Sequence, residues 1–350
     1  MKFPDHCRHL LSSQTAATFL IAGLALGVVS LLLIFLGINP ITIAITLAKG
    51  SIFSWQKFRH VLSVWIPLLL CSCGLLFTFR AGLWNIGVEG QMIVGAIAAT
   101  VLLREGTGGL PPTLILVLAH VLGFIGGGLW GCCVGILKNR GGVNEIFGGL
   151  GLNFVAQGLV LWLIFEPWKR GGVASMSGTD MFVKELWMYT PPGWRVAPAA
   201  LLLALAAFAL TALVLGATRF GLKVKATGNN PLAARLFAID PERTALAAMV
   251  IGGGMAGLAG GLQVSCVYHR LLPPISSGYG YLALLVVMLA NYRTASVPAI
   301  CLFFACLATA AIQLPIVLQL DSALSGVIQG ACVVIALLVQ GLQKRQRGKS

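Results

Sequence analysis

The stretch GLWNIGVEGQMIVGAIAAT, residues 82–100, places three polar side chains at the start of an apolar run. They are Asn85, Glu89 and Gln91: an amide, a carboxylate and a second amide. An acidic side chain in a bilayer costs about 2.5–3.5 kcal/mol on insertion scales, so it marks a transport path or a polar partner. The stretch therefore predicts a membrane segment whose polar end carries function.

The composition of the whole chain supports a membrane protein. Hydrophobic residues make up 58% of the 350 residues and charged residues only 10%, whereas soluble domains carry about 25% charged residues. The net charge of +14 comes from Lys and Arg in short loops, as expected for the cytoplasmic side of a membrane protein. We therefore expect one polytopic domain over residues 1–350, with membrane lipid around it and no nucleic acid bound.

Apolar runs long enough to cross a bilayer predict an all-α protein of about ten transmembrane helices. Glycines and prolines inside these runs suggest that some helices are broken or re-entrant, and such backbone is tolerated only where protein or a water-filled cavity covers it. The segments 74–91 and 273–281 are therefore the expected places for a pathway. The predicted spans are 16–37, 61–79, 86–103, 111–137, 145–166, 198–217, 245–268, 280–291 with its flanks, 298–316 and 322–342.

The distribution of basic residues predicts the orientation of the chain. Placing the N-terminus inside assigns the larger share of the 24 Lys and Arg residues to cytoplasmic loops. Both termini are then expected in the cytoplasm.

The longest inner loop, residues 218–244, contains two helix-start signals. Gly228-Asn229-Asn230-Pro231 is a turn, after which Pro231 is suited to open a short helix with Asn230 as its N-cap. A second start follows at Asp240-Pro241. We predict a short docking helix on the inner face, and the alternative is an ordinary basic juxtamembrane loop.

Five motifs, taken together, resemble one known family. They are AGLWNIGVEGQ, GGVNEIFGGLGLNF, ATGNNPLAARLFAI, GGMAGLAGG and SSGYGYLALLVVMLA. In this order and spacing they look like the membrane subunit of ATP-binding-cassette importers for nucleosides and simple sugars, within the branched-chain amino acid and ribose-type permeases. The resemblance covers residues 60–340 and is similar to the nucleoside branch, whose permeases commonly work as two different subunits.

The resemblance implies a bacterial inner-membrane permease with several partners. These are an ATPase subunit, a second permease subunit that is either a different or an identical chain, and an extracytoplasmic substrate-binding protein. ATP is then used by the partner, and this chain is expected to bind no cofactor or metal and to be no enzyme. The residues that match the family's ATPase-coupling helix are Gly228, Asn229, Asn230, Pro231, Ala233, Ala234 and Arg235.

The same resemblance assigns polar residues to the substrate path, where amides and hydroxyls are able to hydrogen-bond ribose or base edges. These residues are Asn85, Glu89, Gln91, Asn144, Glu145, Asn153, Tyr279 and Tyr281. A structural role stays open for several of them. The two acids could cap the N-termini of broken helices, and the two tyrosines could be packing residues.

The chain departs from the family pattern at three places. Gly148-Gly149 replace bulkier residues, Ala238 replaces the usual Gly, and residues 291–294 form an unusual turn. These departures leave room for a different substrate choice within the family. The tail Gly348-Lys349-Ser350 imitates a P-loop, but Gln343 stands where that motif requires Gly. Energy must then come from a partner or from an ion gradient, which leaves open a secondary transporter that uses Glu89 and Glu145. An intramembrane enzyme is a weaker alternative, since no catalytic constellation is visible.

Overall fold

The computed structural model describes residues 54–106, 108–171, 178–194 and 196–311, together with positions 41, 42, 45, 330 and 334. Over this part of the chain the secondary structure is helical, without strands. The helices, in chain order, are α1 (Trp55–Arg80), α2 (Val88–Arg104), α3 (Pro112–Asn139), α4 (Glu145–Phe165), α5 (Pro198–Ala217), α6 (Arg219–Asn229), α7 (Pro231–Leu236), α8 (Pro241–Leu262), α9 (Tyr279–Leu289) and α10 (Val297–Ala311).

The all-α membrane fold predicted from the sequence is confirmed. Within the described ranges, five helices are long and apolar enough to cross a membrane: α1, α3, α4, α5, and α8 with its extension to Tyr268. Helices α2, α9 and α10 are shorter and fall on three further predicted spans. The predicted first span, 16–37, lies outside the described residues, as do both termini. The last one, 322–342, lies outside them except at positions 330 and 334.

The chain divides into two compact units, residues 59–305 and residues 1–58 with 306–350. The prediction of a single domain stays a prediction. In the unit formed by residues 59–305, α2 packs against α3, α4 and α8. The most apolar stretch of α1 is 94% buried, whereas those of α4 and α5 are 22% buried. Helices α1 and α2 are therefore internal, and α4 and α5 present most of their apolar surface outward, as lipid-facing helices do.

Three helices meet backbone to backbone around Gly257 of α8. A Cβ on Gly127 of α3 would lie 2.6 Å from the Gly257 Cα, and one on Gly95 of α2 would lie 2.6 Å from its carbonyl carbon. Real Cβ atoms do not approach other atoms so closely, so only glycine fits here. Small residues that allow such contact are typical of membrane helix packing, and the glycine series of α3 and α8 serves this purpose.

The chain is irregular between α8 and α9, as the sequence predicted for 273–281. Residues Gln263–Tyr268 form a π-helical end to α8. His269, Ser277 and Gly278 then have positive φ angles of 53°, 48° and 73°. The other predicted break begins later than expected, because α1 continues through Pro67 and Gly74 as far as Arg80.

The segment 178–194 folds back onto this irregular region. The backbone N–H of Phe182 donates to the His269 carbonyl at 2.9 Å, and that of Met188 donates to the Ser265 carbonyl at 3.3 Å. The Trp187 ring stacks on the His269 ring, with centroids 3.9 Å apart. This tryptophan is therefore held by protein contacts.

Candidate functional site

Two of the predicted path residues form a closed pair at the end of the 81–87 turn. The Asn85 Nδ2 donates to the Gln91 Oε1, and the Gln91 Nε2 donates to the Asn85 Oδ1, both at 2.9 Å. Both side chains are completely buried. Since each amide satisfies the other, the pair fixes the turn against the start of α2 in this conformation.

Asn153 of α4 holds the same turn from the opposite side. Its Oδ1 accepts a hydrogen bond from the Gly90 N–H at 2.8 Å, and its Nδ2 donates to the Ile86 carbonyl at 3.0 Å. The Nδ2 also donates to the hydroxyl of Tyr281 at 3.3 Å. Asn153 therefore joins α4, the start of α2 and α9 at one point.

Glu89 lies at the N-terminus of α9. Its Oε1 accepts from the Gly278 N–H at 3.1 Å, and the Ser276 hydroxyl and the Gly280 and Tyr281 N–H groups surround the same carboxylate. A Cβ on Gly280 would overlap its Oε2. A carboxylate in this place satisfies N–H groups that have no helical partner and complements the helix dipole. Glu89 thus occupies the capping position that was the structural alternative.

Arg80 holds the other end of the same helix. Its Nε and Nη2 donate to the Tyr292 carbonyl at 3.1 and 2.8 Å, and Nη2 also donates to the Thr294 Oγ1 at 2.9 Å. The turn that it binds contains Asn291 and Tyr292, with φ angles of 49° and 59°. The continuous segment 80–89 therefore places the Arg80 guanidinium at the C-terminal end of α9 and the Glu89 carboxylate at its N-terminal end. We call this arrangement the α9 clamp.

The two predicted tyrosines lie in the first turn of α9. The Tyr281 side chain is exposed and binds Asn153. Tyr279 is half-buried, with the Ser277 and Gln263 side chains near its hydroxyl. Tyr281 and Asn144 are therefore the exposed members of the predicted path set.

Asn144 and Glu145 occupy the N-terminus of α4, away from the Glu89 cluster. The Asn144 side chain accepts from the Ile146 N–H at 2.8 Å as an N-cap. Glu145 forms an ion pair with Lys138 at 3.0 Å, and its other oxygen lies 3.4 Å from the Trp84 N–H. These contacts fix the α3–α4 connection beside the 81–87 turn.

Both helix starts predicted in the segment 218–244 are present, at Pro231 and Pro241. Gly228 and Asn229, which were predicted as part of a turn, instead form the end of helix α6, which the sequence analysis did not predict. Asn230 is the N-cap of α7 and accepts from the Ala233 N–H at 3.1 Å, and Asp240 caps α8. Of the residues assigned to coupling, Ala234 is buried, and Arg235 is exposed and pairs with Glu242 at 2.8 Å. Ala238, where the family usually has Gly, has a φ of 56°.

Three apolar side chains extend from α7 and the residue after it. Leu232, Leu236 and Phe237 are 75%, 87% and 80% exposed. We call them the α7 knob. None of the three is among the residues that the motif match assigns to coupling, because the assignment followed the turn and Arg235.

Gly228 connects this segment to the α9 clamp. A Cβ on Gly228 would overlap the Arg80 carbonyl oxygen and would lie 2.9 Å from the Arg80 carbonyl carbon. The Gly228 Cα in turn lies 3.3 Å from the Cβ position of Gly82. The end of α6 therefore rests directly on the backbone that carries Arg80 and leads to Glu89.

Comparison with known proteins identifies the class to which this geometry belongs. The model of the family described as branched-chain amino acid transport system / permease component matches residues 57–337. The chain belongs to this family. It is a permease component of a transport system, not an enzyme.

Several curated permeases are similar to this chain. The glucose ABC transporter permease protein TsgB13 of Haloferax volcanii is 29% identical over 348 residues, covering 96% of this chain and 90% of that protein. The guanosine ABC transporter permease protein NupP of Bacillus subtilis is 29% identical, covering 67% and 68%. The nucleoside ABC transporter permease protein NupB of Lactococcus lactis is 24% identical, covering 69% and 67%. The resemblance inferred from the five motifs is confirmed.

Proposed function

We propose that this permease is the membrane subunit of an ATP-driven importer for nucleosides or related sugar-containing solutes in a bacterial inner membrane. It forms the translocation path with a second permease subunit and receives solute from an extracytoplasmic binding protein. A separate ATPase subunit, which docks on residues 228–237, uses the ATP. The names of the similar permeases support the solute class.

The observation that carries the proposal is the α7 knob. A six-residue helix outside the candidate spans exposes two leucines, and the residue after it exposes a phenylalanine. Apolar side chains clustered on a polar segment are typical of a protein-binding surface, because water contact with them is unfavourable. An ATPase groove that covers the knob would remove this cost.

The contacts behind the knob supply a route from the ATPase to the path. A displacement of α6 and α7 pushes Gly228 against the Arg80 backbone, because no side chain lies between them to absorb the movement. Arg80 and Glu89 hold the two ends of α9. A movement of the ATPase is then transmitted to α9, where Tyr281 faces the path.

The test is co-purification of the full-length permease from its native membrane in mild detergent. We expect an ATPase and a second permease in the complex, identified by mass spectrometry. Leu236→Glu and Phe237→Glu should each reduce the recovered ATPase at least tenfold, because a carboxylate would be buried in an apolar contact. Arg235→Glu should instead leave the complex weakened and uncouple ATP hydrolysis from uptake.

Leu222→Glu is the matched control. Leu222 is an exposed leucine of the same segment, 68% accessible, but lies on α6. It should leave ATPase recovery unchanged. The docking assignment is wrong if the Leu236 and Phe237 variants keep the ATPase as the wild type does.

A secondary transporter driven by an ion gradient is the other candidate. It would need Glu89 or Glu145 to exchange an ion, but the Glu89 Oε1 accepts from the Gly278 N–H and Glu145 pairs with Lys138. Uptake into vesicles that contain this permease without any ATPase decides between the two. Gradient-driven uptake under those conditions would refute the ATP-driven proposal.

A further inference from the structure

Helix α6 is amphipathic, and its sequence RFGLKVKATGN contains no acid. Its buried side packs against the rest of the protein through Gly221, Val224 and Thr227. At about 100° per residue, Leu222 lies at the centre of the opposite side, with cations to its left and right. The exposed residues there, which we call the α6 face, are Arg219, Leu222, Lys223 and Lys225.

The three cations of the α6 face have no anionic partner in the part of the chain that the structure describes. None of them takes part in an ion pair there. The acids nearest in the chain and at the α3–α4 connection are already paired with other cations: Glu145 with Lys138, Asp240 with Arg243 and Glu242 with Arg235. The α6 face is therefore a positively charged surface that is suited to an anion from outside this chain.

The α6 face continues the outward-facing apolar surface of α5. On α5, Leu210 and Leu213 are 55% and 58% exposed. A Cβ on Gly221 would overlap the Val214 carbonyl oxygen, so the chain turns back sharply at the end of α5 and α6 packs against its last turns. The 20 residues of α5 span about 30 Å, the thickness of the hydrocarbon core of a bilayer. Helix α6 therefore lies at the membrane surface.

The chemistry of the α6 face fits an anionic bilayer surface. An apolar side chain at the centre of such a helix enters the boundary between headgroups and acyl chains, and the flanking Lys and Arg side chains reach the phosphates. Arginine is able to bind a phosphate through two parallel hydrogen bonds, and lysine supplies a point charge. Anionic lipids attract such juxtamembrane cations.

We propose that the α6 face binds the phosphate headgroups of anionic phospholipids, with Leu222 inserted between their acyl chains. The ATPase contact proposed for residues 228–237 begins at the far end of α6 and leaves this face to the membrane. Lipid binding of this kind requires neither the ATPase nor ATP.

Bound lipid would also restrain the coupling route, an effect that rests on the proposed function. Gly228, at the C-terminal end of α6, rests on the Arg80 backbone. A headgroup that holds Arg219 and Lys223 fixes the other end of the same helix at the membrane surface. A movement of α7 then rotates α6 about a fixed end, instead of displacing the whole helix.

The experiment titrates the full-length permease in an uncharged detergent with phosphatidylglycerol and measures lipid binding by native mass spectrometry. Phosphatidylcholine is the lipid control, because it carries the same phosphate without a net charge, and it should bind more weakly. Arg219→Gln, Lys223→Gln and Lys225→Gln should each weaken phosphatidylglycerol binding about fivefold, the equivalent of about 1 kcal/mol per cation. The triple variant should weaken it about a hundredfold.

Arg140→Gln is the matched control variant. Arg140 is also exposed, but it lies in the α3–α4 connection outside α6, so its loss should leave lipid binding unchanged. A local measurement accompanies the titration: the amides of residues 219–229 should exchange hydrogen more slowly in nanodiscs with phosphatidylglycerol than in nanodiscs of phosphatidylcholine. The triple variant should lose this difference.

Three outcomes would overturn the proposal. Equal binding of the two lipids by the wild type would show that the headgroup charge is not recognised. Equal weakening by Arg140→Gln would show that net charge alone attracts the lipid. A triple variant that keeps the lipid but loses the ATPase on co-purification would assign the α6 face to the ATPase. Failure of the wild type to retain any ATPase would instead refute the proposed function and leave the lipid site standing.

Discussion

Arg80→Met tests the α9 clamp directly. The guanidinium makes two short contacts to the Tyr292 carbonyl and one to the Thr294 hydroxyl. Hydrogen bonds from a charged donor contribute about 1.5–3 kcal/mol each. The turn that they hold includes Asn291 and Tyr292 in the left-handed region, which costs about 1–2 kcal/mol for an ordinary residue.

Loss of the guanidinium should therefore release the turn. We expect the free energy of local opening at residues 290–294 to fall by about 2–3 kcal/mol, a roughly 30- to 150-fold rise in the open population. Arg293 lies in this turn and is exposed, so trypsin reports the opening. The rate of cleavage after Arg293 in the detergent-solubilised permease should rise by that factor, provided that opening is fast relative to cleavage.

Two variants serve as references for this measurement. Arg243→Met removes a 90% exposed arginine paired with Asp240, and such pairs contribute about 0–1 kcal/mol, so cleavage at Arg293 should not change. Arg80→Lys keeps the charge without the planar fork and should fall between the wild type and Arg80→Met. If Arg80→Met is cleaved no faster than the wild type, Arg80 does not hold the turn.

Three further predictions concern Gly228, Glu89 and His269. Gly228→Ala should lower the free energy of unfolding by about 1–3 kcal/mol through overpacking and uncouple ATP hydrolysis from uptake. Gly216→Ala is the control, because a Cβ on Gly216 would meet no atom within 4 Å, and it should be neutral in thermal unfolding and uptake assays. The Glu89→Gln variant should insert normally, but its free energy of unfolding should be lower by about 1 kcal/mol, because the amide lacks the charge that complements the N-terminus of α9. An unchanged unfolding temperature would show that this charge is unnecessary for stability. Burial lowers the pKa of His269 below its ordinary value, although its Nδ1 is hydrogen-bonded to the Ser265 carbonyl. As the pH drops, the histidine of the unfolded chain is therefore protonated before that of the folded chain. The free energy of unfolding then falls as the pH drops from about 7 through the folded-state pKa. His269→Asn, which tolerates the left-handed backbone, should show a smaller loss of unfolding temperature between pH 7.5 and 5, and an equal loss would exclude His269 as the cause.

Local signals in the sequence predicted much of the fold. The apolar runs predicted eight of the described helices. Asn230 and Asp240 are N-caps, as their neighbours Pro231 and Pro241 indicated. These features depend on residues close together in the chain. Hydropathy and turn chemistry are therefore sufficient to predict them.

The site depends on long-range contacts, which a single sequence does not show. Glu89 was recognisable as a buried acid, but its position against Gly278 joins residues 189 positions apart. Arg80 is part of no polar motif, and its bonds to Tyr292 span 212 positions. The one local signal of this contact was the unusual turn at 291–294. It indicated a departure from the family pattern but did not identify the residue that holds the turn. The path role of the predicted polar set stays a prediction.

The backbone contact around Gly257 limits how this permease is able to move. Packed helices usually shear past one another by exchanging side-chain rotamers, and domains otherwise rotate about hinges of a few residues. At Gly95, Gly127 and Gly257 no side chains are present to exchange, so α2, α3 and α8 form a block without internal shear. Alternation between inward and outward access must then use hinges at the edges of this block, of which the described chain offers the irregular segments 81–87 and 269–278.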